Sequence, residues 1–293
     1  MASSFPLDFS NFELEITNRC NLSCPGCSRT DFIDRFPKVW QNHDLNLDEF
    51  KHFIQPIIDQ IEIFEFKGTM GDPIFHPKFI QWIEWCKSLG KKVFIHTNGQ
   101  AGKAFWKRLA PLVDKNDKIV LGIDGLKDDF MTYRINAKWK NIEACAKVIA
   151  EKTRLVWQYI IFKYNQHEID QARRLSEAMG FDEFLAFDSK RWPTDQGWIK
   201  DDNESSNKEY VFKPDCLEKP MHIVTSDGYY MPCCKLLDHR WRYKTPFAQT
   251  YRISKMTMAD VIKSSIANDF YAKLDEMNAP SYCKTICGKC DGK

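Results

Sequence analysis

The sequence predicts an α/β protein built on a parallel sheet, and three observations carry that expectation. Short apolar runs alternate with longer amphipathic ones over residues 12–188, as βα repeats do. The apolar runs are nearly continuous, which suits strands covered by helices on a parallel sheet. The first four of them end in unusual polar loops, and in such folds the ligand site lies beyond the C-terminal ends of the strands. Six units are counted, so the sheet is either open or an incomplete barrel.

The first strand, Phe12–Thr17, runs into Cys20-Asn-Leu-Ser-Cys24-Pro-Gly-Cys27. A helix near 47–60 leads to the second strand, Ile61–Phe66, which ends in Gly68-Thr69-Met70-Gly71-Asp72-Pro73. A helix near 76–89 precedes Lys92–His96, which ends in His96-Thr97-Asn98-Gly99. A helix near 101–113 precedes Ile119–Ile123, followed by Asp124-Gly125. Residues 128–152, long enough for two helices, precede Leu155–Phe162, and a helix near 166–179 precedes Phe184–Asp188. Gly90 and Gly180 follow the last periodic residue of their helices, where C-terminal caps belong. Residues 194–214 are polar and read as a linker, dividing the chain into a core over 1–193 and a smaller region over 215–293. In the latter, Asp227-Gly228 signals a hairpin between Met221–Thr225 and Tyr229–Met231, which brings Cys216 and Cys233 together.

The chain has 293 residues, 43% of them hydrophobic, and a net charge of +2. That balance gives no general drive toward nucleic acid or an anionic membrane. Met-Ala-Ser-Ser-Phe-Pro-Leu-Asp lacks the charge and apolar run of a secretory signal, and no apolar stretch is long enough to span a bilayer. The expected compartment is cytoplasmic. Eleven cysteines in a reduced compartment point to metal or catalysis rather than disulfides. Cys86 and Cys145 stand alone in helical patterns and read as small buried hydrophobes. The others fall into two groups: Cys20, Cys24 and Cys27, and six in the last quarter of the chain.

A four-iron cluster needs a ligand at each iron, usually a thiolate. Three clustered thiolates leave one iron open to a small molecule. Structural zinc prefers four ligands in two pairs, and the triplet has no nearby fourth cysteine or histidine. The C-terminal cysteines, taken alone, suit zinc or a cluster equally. The basic segment Lys235–Lys244, with Trp241 and Tyr243, reads as a solvated loop.

With the triplet after the first strand, a Gly-Asp-Pro loop after the second and six βα units, residues 12–190 resemble the radical S-adenosylmethionine (radical SAM) superfamily. The resemblance implies a partial (β/α)6 TIM barrel. It implies that Cys20, Cys24 and Cys27 hold a [4Fe-4S] cluster, and that SAM is cleaved reductively to a 5′-deoxyadenosyl radical that removes hydrogen from a substrate. Gly71, Asp72 and Pro73 match the Gly-Glu-Pro loop that holds the SAM amino group, with Asp in place of the commoner Glu. Arg134 is similar to the arginine that pairs with the SAM carboxylate, for which a bidentate fork is suited. Asn98 and Asp124 are placed to reach the ribose or substrate, though both are also plain turn residues; Gln158 either points into the site or serves the core. Many members carry an aromatic just before the third cysteine; here it is Gly26.

The C-terminal region resembles the twitch or SPASM extensions of such enzymes, a small α+β domain with an auxiliary [4Fe-4S] cluster. The matching ligand set is Cys216, Cys233, Cys287 and Cys290, with Cys234 and Cys283 as substitutes. The implied function is oxidation or cross-linking of a peptide or protein residue, that is, an oxidoreductase, with dehydrogenation of a small alcohol or sugar-like substrate as the alternative. A flavodoxin or ferredoxin is the implied electron donor. From a different class, a zinc-dependent RNA- or protein-binding module accounts for the cysteines but not for the four loops on one rim.

Overall fold

The computed structural model describes residues 5–188, 210–212, 214, 216, 219–275 and 278–290. Six parallel strands form the main sheet: β1 (Asn11–Leu14), β2 (Ile63–Phe66), β3 (Lys92–Thr97), β4 (Lys118–Gly122), β5 (Arg154–Ile161) and β6 (Glu183–Asp188). They lie in chain order, each paired with its sequence neighbour. This is a partial barrel, as the resemblance implied.

Helices α1 (Ser28–Arg35), α2 (Leu47–Ile54), α3 (Phe79–Ser88), α4 (Lys103–Leu109), α5 (Lys127–Tyr133), α6 (Trp139–Ile149) and α7 (Ile169–Ala178) lie between the strands. Two expected helices shorten for one reason. Pro56 and Pro111 each sit in the first turn of a 3₁₀ segment that takes over from α2 and α4, because proline removes a backbone donor and restricts the residue before it. Asn46 caps α2 by accepting from the backbone N–H of Asp48 and Glu49 at 2.8 and 3.1 Å. Gly90 and Gly180 adopt φ of +69° and +82°, the left-handed geometry of helix C-caps. Helix α1 was not anticipated; it is short and charged, and its N-cap is Cys27 itself.

Strand alternation divides the barrel wall into two faces. Phe12, Leu14, Phe64 and Phe66 are fully buried. Phe12 and Phe64 meet Phe50 of α2, and Phe66 meets Trp82 of α3, with ring centroids 5.8 to 6.3 Å apart. The intervening residues Glu13, Glu15 and Glu65 face the barrel interior instead. Cys86 and Cys145 are buried in the helix layer, as expected of small hydrophobes.

The C-terminal region does not stand apart from this sheet. Strands β8 (Ile223–Val224) and β9 (Tyr230–Met231) form the expected hairpin, with Gly228 at φ +83°. Strand β8 pairs in parallel with β1, Glu13 opposite Ile223 and Leu14 opposite Val224, so the hairpin extends the barrel wall. His222 is fully buried and ties the junction, its Nε2 3.0 Å from the Asp8 carbonyl and its Nδ1 3.0 Å from the Tyr230 hydroxyl. Short helices follow: α8 (His239–Arg242), α9 (Phe247–Thr250), α10 (Met258–Lys263), α11 (Ser265–Ala272) and α12 (Ser281–Cys287).

Two expectations are corrected here. The proposed linker, 194–214, lies mostly outside the described residues, but its end is a strand, β7 (Tyr210–Phe212), paired antiparallel with β10 (Gly288–Cys290); Tyr-Val-Phe is strongly strand-forming. Residues 235–244 are not a solvated loop, because Leu236, Leu237 and Arg242 are buried. Among the described residues no helix is long and apolar enough to cross a membrane.

Candidate active site

The cysteine triplet sits beyond the end of β1 and is held by the neighbouring strand ends. Cys24 is buried and Cys20 and Cys27 are partly so. Cys20 Sγ accepts from the Leu22 N–H at 3.5 Å and from Asn98 Nδ2 at 3.4 Å. Cys27 Sγ lies 4.0 Å from the Thr69 carbonyl in the loop after β2. Burial pushes the Cys20 thiol up to about 12 and the Cys24 thiol to about 11, so a nearby cation is needed before both are thiolates. Three thiols on one loop, with N–H donors aimed at a sulfur, fit a cluster with one open iron; such donors help set a cluster's potential.

The loop after β2 packs tightly against that support. A Cβ at Gly71 would lie 2.2 Å from the Thr17 carbonyl, and one at Gly68 would lie 2.2 Å from the Gly71 carbonyl. Both glycines are therefore fixed by close backbone approach. Asp72 N–H donates to the Arg19 carbonyl at 2.8 Å, joining this loop to the one that carries the cysteines. The Asp72 carboxylate is buried and already used. It accepts from Thr97 Oγ1 at 2.8 Å, the Asn98 N–H at 2.6 Å and the Ile74 N–H at 3.3 Å. Burial raises its carboxyl to about 6 against those donors. Its visible work is to lock the end of β3 to the loop after β2.

Asn98 is likewise engaged, donating to Cys20 Sγ and to Asn21 Oδ1 and accepting from the Gln100 N–H at 2.9 Å. The structure places it as a brace for the cysteine loop. Asp124 is fully buried after β4, and its carboxylate accepts from Arg134 Nε at 2.7 Å and from the Ile160 N–H at 2.8 Å. Gly122 makes room for that arginine, since a Cβ there would meet the guanidinium at 2.4 Å. Arg134 also raises no barrier to charge near Cys24, whose thiolate it favours. Gln158 lies opposite Gly122 in the β4–β5 register, on the interior face.

Sequence reasoning missed the polar interior of the barrel. Lys67 Nζ lies 3.3 Å from Glu13 and 3.1 Å from Glu65, and Glu65 also meets His96 Nε2 at 2.8 Å and Asn11 Nδ2 at 3.0 Å. Burial alone would raise the Glu65 carboxyl, yet the His96 bond and the Lys67 charge outweigh it and hold it at about 2. The signal was present: charges at alternate positions of otherwise apolar strands. Tyr133 was also missed. It is within electrostatic reach of Cys24 and Cys27, and its ring lies 4.5 Å from that of Phe162, which stacks on Tyr164.

In the C-terminal group, Cys216, Cys233 and Cys283 are buried and Cys234 and Cys287 partly so. The Cys233 thiol is raised first by its hydrogen bond with Cys234 and by burial, with Cys216 adding to it, and Cys283 is raised by burial, then by Cys287 and Cys216. Cys283 and Cys287 are four apart on α12, hence on one helical face. Burial pushes Cys283 up to about 12. Cys290 ends β10, and its side chain lies outside the described ones.

Residues 14–175 match the Radical SAM superfamily. A stretch of 91 residues is 35% identical to the tungsten-containing aldehyde ferredoxin oxidoreductase cofactor-modifying protein of Pyrococcus furiosus, covering 29% of this chain and 23% of that protein. The match thus spans about a quarter of the relative. Among solved structures, SuiB of Streptococcus suis superposes with a TM-score of 0.64 at 15% identity, covering 91% of this chain and 68% of SuiB. SuiB has also been solved bound to S-adenosylmethionine and bound to the precursor peptide SuiA. Native anSMEcpe with bound AdoMet gives a TM-score of 0.61 at 13% identity, covering 96% of this chain and 89% of that one. At such identities the likeness shows the shared fold.

Proposed function

The chain belongs to the radical SAM superfamily, and on that premise we propose that it is an oxidoreductase that removes hydrogen from a residue of a peptide or protein. Membership makes it an enzyme whose chemistry rests on a [4Fe-4S] cluster and SAM, and it sets aside the zinc-binding module. When bound, these groups supply a one-electron cleavage that yields a carbon radical able to take a hydrogen atom from substrate. The observation that carries the reading is the triplet on one braced loop, with donors from Leu22 and Asn98 on Cys20 and Arg134 beside Cys24.

The chain's own residues have separate tasks in this proposal. Cys20, Cys24 and Cys27 hold the cluster. The backbone of Gly71, Asp72 and Pro73 would hold the SAM amino group, since the Asp72 carboxylate is spent on Thr97 and Asn98. Arg134, steered by Asp124, offers its remaining N–H groups to the SAM carboxylate. Tyr133, within electrostatic reach of Cys24 and Cys27, would take the aromatic packing role that Gly26 leaves open. Gln158 and the Lys67 network line the substrate space. Cys216, Cys233, Cys283 and Cys287, which lie within electrostatic reach of one another, would hold a second cluster, with Cys283 in the place that the resemblance gives to Cys290. The peptide class is supported by SuiB, solved with its precursor peptide.

The test is anaerobic purification with assays for iron, sulfide and zinc, then addition of dithionite and SAM. About eight irons per chain fit two four-iron clusters, and 5′-deoxyadenosine should form. Zinc without sulfide, or no 5′-deoxyadenosine, overturns the reading.

A further inference from the structure

The loop that carries the cysteine triplet is covered on one flank and open on the other. On the covered flank Ser28, which follows Cys27 directly, donates from Oγ to Asp238 Oδ2 at 2.5 Å. There too His239 Nε2 of the C-terminal region lies 3.1 Å from Asp31 Oδ2 of α1. On the open flank Asn21 and Ser23 are exposed. Asn21 Nδ2 donates to the Gln100 carbonyl at 3.3 Å, and the Ser23 N–H donates to the Ile135 carbonyl at 3.2 Å. These bonds join the loop to the segments that follow β3 and α5. The second of those segments has two sides. Tyr133 and Arg134 are within electrostatic reach of Cys24, whereas Met131 and Ile135 are 44% and 42% exposed.

Beside this apolar pair lies an open cleft lined by Asn21, Gln100, Asn136, Ala137, Lys138 and Asn141. Its floor is fixed: Gln100 is buried, and its Oε1 accepts from the Lys138 N–H at 2.6 Å and from Asn141 Nδ2 at 3.3 Å. Its border is basic. Lys103, at the start of α4, and Lys138 and Lys140, at the start of α6, are exposed and form no ion pair among the described residues. Residues 100–141 hold nine basic and five acidic residues, a net +4 in a chain whose total is only +2, so positive charge is concentrated here. The four acids with described side chains are engaged elsewhere. Asp114 and Asp117 pair with Lys87, before the start of β4; Asp124 pairs with Arg134, and Asp129 hydrogen-bonds Glu168.

The chemistry assigned to the triplet begins with an electron from outside. A small apolar patch with a charged border, one residue away from Cys20 and Cys24, suits its delivery. Redox encounters use small interfaces, and complementary charge speeds them. We propose that residues 21–23 and 131–138, with Lys103 and Lys140 at the border, form the docking surface for an acidic protein that carries single electrons. The carrier loses one electron and the site at Cys20, Cys24 and Cys27 gains it; no atom crosses the interface. The proposal rests on the reading of the triplet as a reductive centre. It keeps electron delivery apart from the barrel interior, where the substrate space is proposed.

Two measurements on the full, iron-loaded chain test it, with flavodoxin, an acidic FMN protein, as the probe. Carbodiimide, which joins lysine amines to carboxylates in contact, should link oxidised flavodoxin to Lys103, Lys138 or Lys140, as mapped by mass spectrometry. In rapid mixing, Lys103→Glu/Lys138→Glu should slow reduction by flavodoxin hydroquinone about tenfold at low salt, less at high salt, and leave reduction by dithionite unchanged. Lys255→Glu/Lys263→Glu, the same change of charge in the C-terminal region, should leave both rates as they are. Cross-links elsewhere, cross-links only between copies of this chain, or no reduction of the parent by flavodoxin overturns the proposal. So does an equal slowing by the control pair, or an equal slowing with dithionite. The dithionite arm also separates the two readings. Reduction without 5′-deoxyadenosine sinks the proposed function and leaves this surface standing, whereas 5′-deoxyadenosine with cross-links elsewhere does the reverse.

Discussion

The two cysteine groups are built in opposite ways. The N-terminal triplet spans eight consecutive positions, Cys20 to Cys27, on a loop braced by bonds from the ends of β1, β2 and β3. Its geometry is set by the barrel. The C-terminal group gathers Cys216, Cys233, Cys283 and Cys287, which are far apart in sequence and come from a hairpin and a helix. Closing such long loops costs entropy, and on the proposal that they hold a second cluster, metal binding there would double as folding energy. The first site is carried by the fold, whereas the proposed second would help to make it.

The sharpest way to break that contrast is Cys24→Ala. It should abolish 5′-deoxyadenosine formation and remove about four of about eight irons, while the thermal midpoint moves little. A large fall in the midpoint would mean that the first site is also structural. Next comes Cys283→Ala, which should lose the other irons and lower the midpoint by several degrees, as loss of metal-linked folding energy requires. Cys290→Ala should leave the iron count unchanged; if the two variants exchange behaviours, the ligand set implied by the resemblance is the right one.

A third test concerns the seam between the regions, where Glu15 of the barrel lies near Arg242 and Asp227. Burial raises the Glu15 carboxyl from 4.5 to about 7. Between those values the native state holds a proton that the unfolded chain has released, so stability falls as pH rises through the window and is lowest above about 7. Glu15→Gln removes that dependence. Its advantage over the parent should grow by about 3 kcal/mol from pH 4 to pH 8 at roughly 1.4 kcal/mol per unit, read from denaturant unfolding at each pH; a pH-independent difference would show that Glu15 is solvated. The smallest effect is expected from Tyr133→Leu. Losing one aromatic contact is worth about 1 kcal/mol, so SAM should bind several-fold more weakly by equilibrium titration, with iron content unchanged.

The barrel was legible in the sequence because each strand and helix is written in local periodicity. Lys92–Thr97 and the paired helices over 127–149 fell where their patterns put them. The triplet was legible because its chemistry is contiguous. What escaped notice depends on what the chain brings together. Glu13, Glu65, Lys67 and His96 form one network only because strand register aligns them. The resemblance gave Cys290 as a ligand, and only the helix over Ser281–Cys287 shows that Cys283 and Cys287 share a face. Asn98 and Asp72 read as cofactor contacts, and their side chains also hold the scaffold of the site, a role visible only in their hydrogen bonds.

The pairing of β8 with β1 has a consequence for synthesis on the ribosome. The first strand to emerge is among the last to be flanked on both sides, because its partner lies some two hundred residues later. Until then β1 is an open edge, with free backbone groups beside Phe12 and Leu14, and such edges invite pairing between chains. A product truncated after β6 would carry that edge permanently. The protein is therefore expected to depend on prompt completion of its own C-terminus, and fragments of the barrel alone should accumulate as aggregates rather than as a smaller enzyme.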